Sequence, residues 1–276
     1  MHIKKYIYRF YEITRKIFWF FTGGRKEKMF GYNLSFVSAT CLSESIWFHY
    51  PKRSVRQRIV MYTDYVQAHS MVAYLESLPD KPVVVEVGAY HGQYAVLLGK
   101  IVQAKNGRLI AVEASPKNAK VLRQNVQLNC LDDIVEVVES FVQDTGGKDI
   151  SLIERGSQTT VDLNGKDDKI RSESIAALLH RLNIRGIDLL LIDIEGAEVK
   201  LLPAYPWADV PVECIYCEIH PGEWHRFGDD GSNIERVIKE QHLVCLDMYF
   251  QPFSKFRKRH YAGPTILIQQ PWPSKS

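Results

Sequence analysis

The chain has 276 residues, 46% hydrophobic and 24% charged, which supplies a full core and excludes global disorder. Its net charge of +3 is unevenly spread, with 12 Lys/Arg against 3 acids in the first 60 residues and 23 against 29 in the rest. A main body that is negative on balance points away from nucleic acid as a partner, and no stretch approaches the roughly 20 apolar residues of a membrane span.

At the N-terminus, Ile3, Ile7, Phe10, Thr14, Ile17, Phe18 and Phe21 recur at three- and four-residue spacing, with Lys5, Arg9, Glu12 and Lys16 opposite. The spacing predicts an amphipathic basic helix over residues 3–21. Its apolar face suits either an anionic membrane surface, as a peripheral contact, or protein, whether this domain or a partner subunit of a homo-oligomer. Gly23-Gly24 ends the helix. Residues 1–28 are therefore read as a basic arm, 29–80 as a helical extension with helices at Val55–Ala68 and Met71–Leu78, and 81–276 as the main domain.

From residue 83 short apolar runs alternate with helical patterns, which predicts an α/β fold: a Rossmann-like, seven-stranded, mostly parallel sheet with helices on both faces. The predicted strands are Val83–Val87, Leu109–Glu113, Ile134–Val138, Ile187–Ile192, Glu213–Ile219, Leu243–Phe250 and Thr265–Gln269. Helices are predicted at Gln93–Ala104, Pro116–Leu128, Glu173–Leu182, Ala197–Leu202 and Asn233–Glu240. No helix separates the last two strands, so they form an antiparallel hairpin. Residues 144–170 interrupt the alternation, and Asn164-Gly165 after Thr159–Leu163 marks a turn in a β-excursion.

The first strand ends in Glu86 and runs through Gly88-Ala89-Tyr90-His91-Gly92 into a helix. This is a nucleotide-type turn, but it lacks the Gly-x-Gly-x-x-Gly of a dinucleotide site and the Gly-Lys-Ser/Thr of a P-loop. A ligand without phosphates fits better, and Glu86 suits the ammonium end of S-adenosylmethionine. Glu113, at the tip of the second strand and followed by Ala114, stands where ribose hydroxyls are held, with Ser115 and Pro116 opening the next helix. Past the third strand, Ser140 and Phe141 stand where the adenine should lie. His91 reaches the pocket mouth or structures the turn.

At the other end, Ile187–Ile192 leads into Asp193-Ile194-Glu195-Gly196-Ala197-Glu198, and the next strand into Glu218-Ile219-His220. Carboxyl ends of parallel strands line the crevice, so Asp193, Glu195, Glu218 and His220 converge there. They could take the proton of a hydroxyl acceptor, hold a divalent cation that acidifies it, or pair with one another in a purely structural role. Glu198 reads as a first-turn acid of the following helix. Cys214 and Cys217 lie in a strand on opposite faces and read as core. Five scattered cysteines form no disulfide framework, which places the chain in a reducing, cytoplasmic setting, at the membrane surface if the arm binds lipid.

With these residues in hand, the chain resembles the FkbM-like family of S-adenosylmethionine-dependent methyltransferases over roughly residues 80–220. Val85-Glu86-Val87-Gly88-Ala89-Tyr90-His91-Gly92 and Ile187-Asp188-Leu189-Leu190-Leu191-Ile192-Asp193-Ile194-Glu195-Gly196-Ala197-Glu198 carry the resemblance. It implies O-methylation, often of sugar hydroxyls in glycans or natural products. Leu191 departs from the family's common Lys, and Glu86 from its frequent Asp. Two other classes compete: a nicotinamide oxidoreductase, which lacks its turn here, and a non-catalytic S-adenosylmethionine-binding adaptor tethered by the arm, which would not need the strand-tip acids.

Overall fold

The computed structural model describes residues 25–29, 32–36, 68, 70–155, 158–162, 169–247, 252 and 263–269. Strand β1 (Arg25–Met29) pairs antiparallel with β2 (Tyr32–Phe36). Helix α1 covers residues 70–77. There follow β3 (Val83–Val87), α2 (Gln93–Ala104), β4 (Arg108–Glu113), α3 (Pro116–Leu128), β5 (Val135–Glu139), β6 (Phe141–Gln143), β7 (Asp149–Arg155), β8 (Gln158–Asp162) and β9 (Lys169–Ser174). The chain continues through α4 (Ile175–Arg181), β10 (Ile187–Ile192), α5 (Glu198–Leu201), β11 (Val212–Ile219), a 3-10 turn (Trp224–Phe227), α6 (Ser232–Glu240), β12 (Leu243–Leu246) and β13 (Gly263–Gln269).

Seven strands form the main sheet in the order β12-β13-β11-β10-β3-β4-β5. Neighbours run parallel except at β13, which is antiparallel to both β11 and β12. Both faces of the sheet are buried because alternate residues of each strand feed different cores. Val84, Leu109, Leu189, Leu191, Cys214 and Tyr216 pack with α1, α2 and α3. Val85, Ile110, Leu190, Ile192, Ile215 and Cys217 pack with α4, α5 and α6 on the other side. The two sulfurs of Cys214-x-x-Cys217 therefore belong to opposite faces.

β3 lies between β4 and β10, so the chain winds outward in both directions from it. A crevice at the carboxyl ends of β3, β4 and β10 follows from that reversal.

Three details depart from the sequence reading. Tyr32–Phe36 is a strand although residues 29–80 read as helical; Tyr32, Leu34 and Phe36 alternate with Asn33 and Ser35, a period of two that favours pairing over a helix. The β-excursion is a four-stranded sheet, β6-β9-β7-β8, and its hairpin reverses between Arg155 and Gln158. Glu173 and Ser174 belong to β9 rather than to the helix, since they pair with Val142 and Gln143. Asn164-Gly165, the arm helix over 3–21 and most of the Val55–Ala68 segment lie outside the described residues.

Candidate functional site

The crevice is a cavity walled by Val87, Gly88 and Tyr90 after β3, by Val112, Glu113 and Ala114 on β4, and by Ser140, Phe141 and Val142. Asp193, Ile194, Glu195 and Ala197, after β10, also line it. None of these wall residues is a Lys or Arg.

Two strand tips are drawn together here. Gly88 has φ +93°, and a Cβ there would lie 1.9 Å from the backbone oxygen of Asp193, so only glycine permits this approach. Asp193 N–H in turn donates to Val87 O at 3.0 Å. Glu113, 5% exposed, accepts Tyr90 N–H on Oε2 and Ser115 N–H on Oε1, at 2.7 and 2.8 Å. Its carboxylate thus ties the turn after β3 to the start of α3. Ser115 caps α3 by accepting Asn118 N–H.

Glu86 is buried beneath this turn, and its Oε2 has no hydrogen-bond partner. Burial, then the charges of Asp193 and Glu113, push its carboxyl well above the usual carboxylate range. Its in-register neighbours on β10 and β4 are Leu191 and Ala111, whose side chains offer no hydrogen bond.

Ala89, His91 and Gly92 are buried but do not wall the cavity. His91 Nε2 lies 3.2 Å from Asn118 Oδ1, and its carbonyl accepts Asn125 Nδ2. A Cβ on Gly92 would meet Leu122 Cδ1 at 2.3 Å, so this glycine lets α3 pack against the turn. The turn's second half shapes the site from behind, because the helix it opens covers it.

At the tips of β10 and β11 four carboxylates surround one imidazole. His220 Nε2 lies 3.9 Å from Asp193 Oδ1, 3.7 Å from Glu195 Oε2 and 3.8 Å from Glu218 Oε1. Its Nδ1 lies 3.7 Å from Glu198 Oε1. Burial alone would lower the imidazole pKa, but Glu198, Asp193 and Glu195 raise it to about 9. Burial, with Glu218 next, pushes the Asp193 carboxyl up, and only His220 opposes this. Asp193 and Glu195 wall the cavity, while Glu218 and His220 stand behind them.

Glu198 is the residue that the sequence reading underrates. It is completely buried and accepts Gly196 N–H at 2.8 Å, His220 N–H at 2.7 Å and the Trp224 indole N–H at 2.7 Å. One carboxylate therefore fixes the β10 loop, the β11 tip and the 3-10 turn together. Glu195, just upstream, is held at φ +52°, a conformation that costs a non-glycine residue about 1–3 kcal/mol and persists only where the surroundings impose it.

The methyltransferase FkbM domain model matches residues 86–243, more than half of the chain and both ends of the crevice. The chain belongs to the FkbM methyltransferase family. Among solved structures, this FkbM-family methyltransferase is similar to a methyltransferase FkbM from Methylobacillus flagellatus KT, at 12% identity and TM-score 0.44 over 69% of this chain. It spans only 44% of that protein's length. It is also similar to an O-methyltransferase from Bacillus cereus in complex with SAH, at 14% identity and TM-score 0.43, covering 78% of this chain and 88% of that one. A precorrin-6y C5,15-methyltransferase from Geobacter metallireducens GS-15 matches at 14% identity and TM-score 0.39, over 72% and 85%. No curated protein matches in sequence. In this FkbM-family member, Leu191 sets an apolar side chain in register with Glu86, whose Oε2 has no hydrogen-bond partner. Among the described residues no helix is long and apolar enough to cross a membrane.

Proposed function

We propose that this FkbM-family protein transfers a methyl group from S-adenosylmethionine to a hydroxyl oxygen, of a sugar in a glycan or natural product. The observation that carries the reading is the chemistry of the cavity wall. Among the described residues it offers carboxylates (Glu113, Asp193, Glu195) and apolar surface (Val112, Phe141, Ile194) and no Lys or Arg for phosphate, which fits a phosphate-free nucleoside bearing an ammonium.

In this reading Glu113 holds ribose hydroxyls, Gly88 and Ala114 leave room beside it, Ser140 and Phe141 meet the base, and Asp193 faces the ammonium, while Glu86 is buried beneath the turn and does not wall the cavity. Ala89, His91 and Gly92 keep the turn in shape. Bound there, S-adenosylmethionine supplies an activated methyl group, so the protein has to align the acceptor oxygen and remove its proton. That proton passes to a carboxylate oxygen of Asp193 or Glu195, because His220, with its pKa raised to about 9, is already protonated at neutral pH. Its positive charge between Asp193, Glu195 and Glu218 steadies the anionic cluster while the acceptor docks.

Donor atoms of Asp193, Glu195 and His220 lie within 4.8 Å of one another, which also suits a divalent cation at the acceptor end. One experiment separates the readings: transfer of a labelled methyl from S-adenosylmethionine over a panel of glycosides, with and without chelator. Direct proton removal predicts transfer that survives chelator and falls about 10²–10⁴-fold in whichever of Asp193→Asn and Glu195→Gln removes the base. Loss with chelator and recovery with Mg²⁺ or Mn²⁺ makes the same groups metal ligands. Absence of transfer to any hydroxyl compound overturns the proposal.

A further inference from the structure

Ser140 joins β5 to β6, is 7% exposed and walls the cavity. Its hydroxyl donates to Glu173 Oε2 at 3.2 Å. Glu173 comes from β9, outside the main sheet, and is clasped by Arg181 of α4, with Nε 3.0 Å from Oε1 and Nη2 2.8 Å from Oε2. This two-point hydrogen bonding holds the Glu173 carboxyl below the usual carboxylate range, so it stays ionised and can only accept. The single hydrogen of the Ser140 hydroxyl is thereby committed. The backbone N–H of Ser140 is committed too, to Glu113 O at 3.1 Å. What Ser140 can still offer to a group in the cavity is an acceptor oxygen, so that group must bring its own hydrogen.

We propose that Glu173, through Ser140, is a positioning residue that makes the cavity select a purine with a 6-amino group over one with a 6-oxo group. The inference rests on the reading of this cavity as a nucleoside site, and it assigns a role to the inserted four-stranded sheet. β9 delivers Glu173 to the edge of the main sheet, and α4, which follows directly, delivers Arg181. A 6-amino group donates to the Ser140 oxygen. A 6-oxo group sets a second acceptor against it, and a polar site left unpaired in this way discriminates strongly.

The test is calorimetric binding of S-adenosylhomocysteine and S-inosylhomocysteine, which needs no methyl acceptor. Wild type should prefer the adenine compound by about ten- to a hundredfold. In Glu173→Ala the hydroxyl is free to turn and donate, so the preference should shrink to within about threefold, through tighter binding of the inosine compound. A merely structural role would instead weaken both compounds together and leave their ratio unchanged. Should Glu173→Ala fail to fold, Ser140→Ala decides, and a full preference retained there overturns the inference. Equal binding by wild type, or an unchanged preference in Glu173→Ala, also overturns it while leaving the nucleoside reading intact. Wild type that binds neither compound removes both.

Discussion

Glu198 Oε1 accepts the backbone N–H of His220 at 2.7 Å and lies 3.7 Å from Nδ1 of the same residue's ring. One buried oxygen thus sets both the position of the β11 tip and the charge behind its imidazole, while Nε2 is left to the carboxylates of the crevice. Helix-first-turn acids usually face solvent and contribute little. Glu198 is completely buried, and its three donors make it a structural centre of the acceptor end.

Removing it leaves three donors, two of them buried, without partners. Glu198→Ala should cost about 3–5 kcal/mol in urea unfolding, and Trp224→Phe, which deletes one donor, about 1–2 kcal/mol. A cost for Glu198→Ala below that of Trp224→Phe would contradict this view.

The histidine makes stability depend on pH. Its folded pKa of about 9 lies above the ordinary 6.5, so its contribution is complete below pH 6.5 and is lost as pH rises through 9. Raised carboxyl pKa values at Glu86 and Asp193 act in the same direction. Wild-type unfolding midpoints should fall between pH 6.5 and 9, and His220→Gln should flatten the fall. An NMR titration should place the His220 imidazole near 9, and a midpoint near 6.5 would show that the carboxylates do not act on it.

Thiol chemistry should follow burial rather than motif. Cys130 is exposed, while Cys214 and Cys217 are buried on opposite faces with their thiol pKa values pushed up by burial. Iodoacetamide should label Cys130 in the folded protein and spare the other two until denaturant is added. Rapid labelling of Cys214 or Cys217 would mean that the sheet opens easily.

Gly88 and Gly147 give a matched pair. Both have positive φ, but a Cβ at Gly88 strikes Asp193 O, whereas Gly147 has open space around it. Gly88→Ala should destabilise by more than about 3 kcal/mol and Gly147→Ala by about 1–2 kcal/mol, the strain cost alone. Equal effects would show that the approach of β3 to β10 relaxes freely.

Much of this architecture can be read from local pattern. The apolar runs of β3 and β10 end at a glycine turn and an acid, and α3 carries its own start signal in Ser115-Pro116, so the boundaries of these elements emerge from the sequence alone. The convergence of Asp193, Glu195, Glu218 and His220 is likewise implied by strand order. Contacts across sequence distance leave no such mark. The bonds from Glu198 to His220 and Trp224 span 22 and 26 residues, and the Ser140–Glu173 bond spans 33. Glu173 even reads locally as helical, and only its pairing with Val142 draws it into β9. Gly92 and His91 look like ligand residues for the same reason, since the packing of α3 that occupies them is distant in sequence.

Whether the crevice between β3, β4 and β10 holds a methyl-donor nucleoside through Glu113 is decided by titrating S-adenosylhomocysteine into wild type and Glu113→Gln in a calorimeter, with unfolding curves to verify that both are folded. Binding at one site per chain is expected, with a loss of about ten- to a hundredfold in Glu113→Gln, the effect of weakening a charge-assisted hydrogen bond at a buried position. Absence of binding to wild type, or equal affinity in the folded variant, would contradict that expectation.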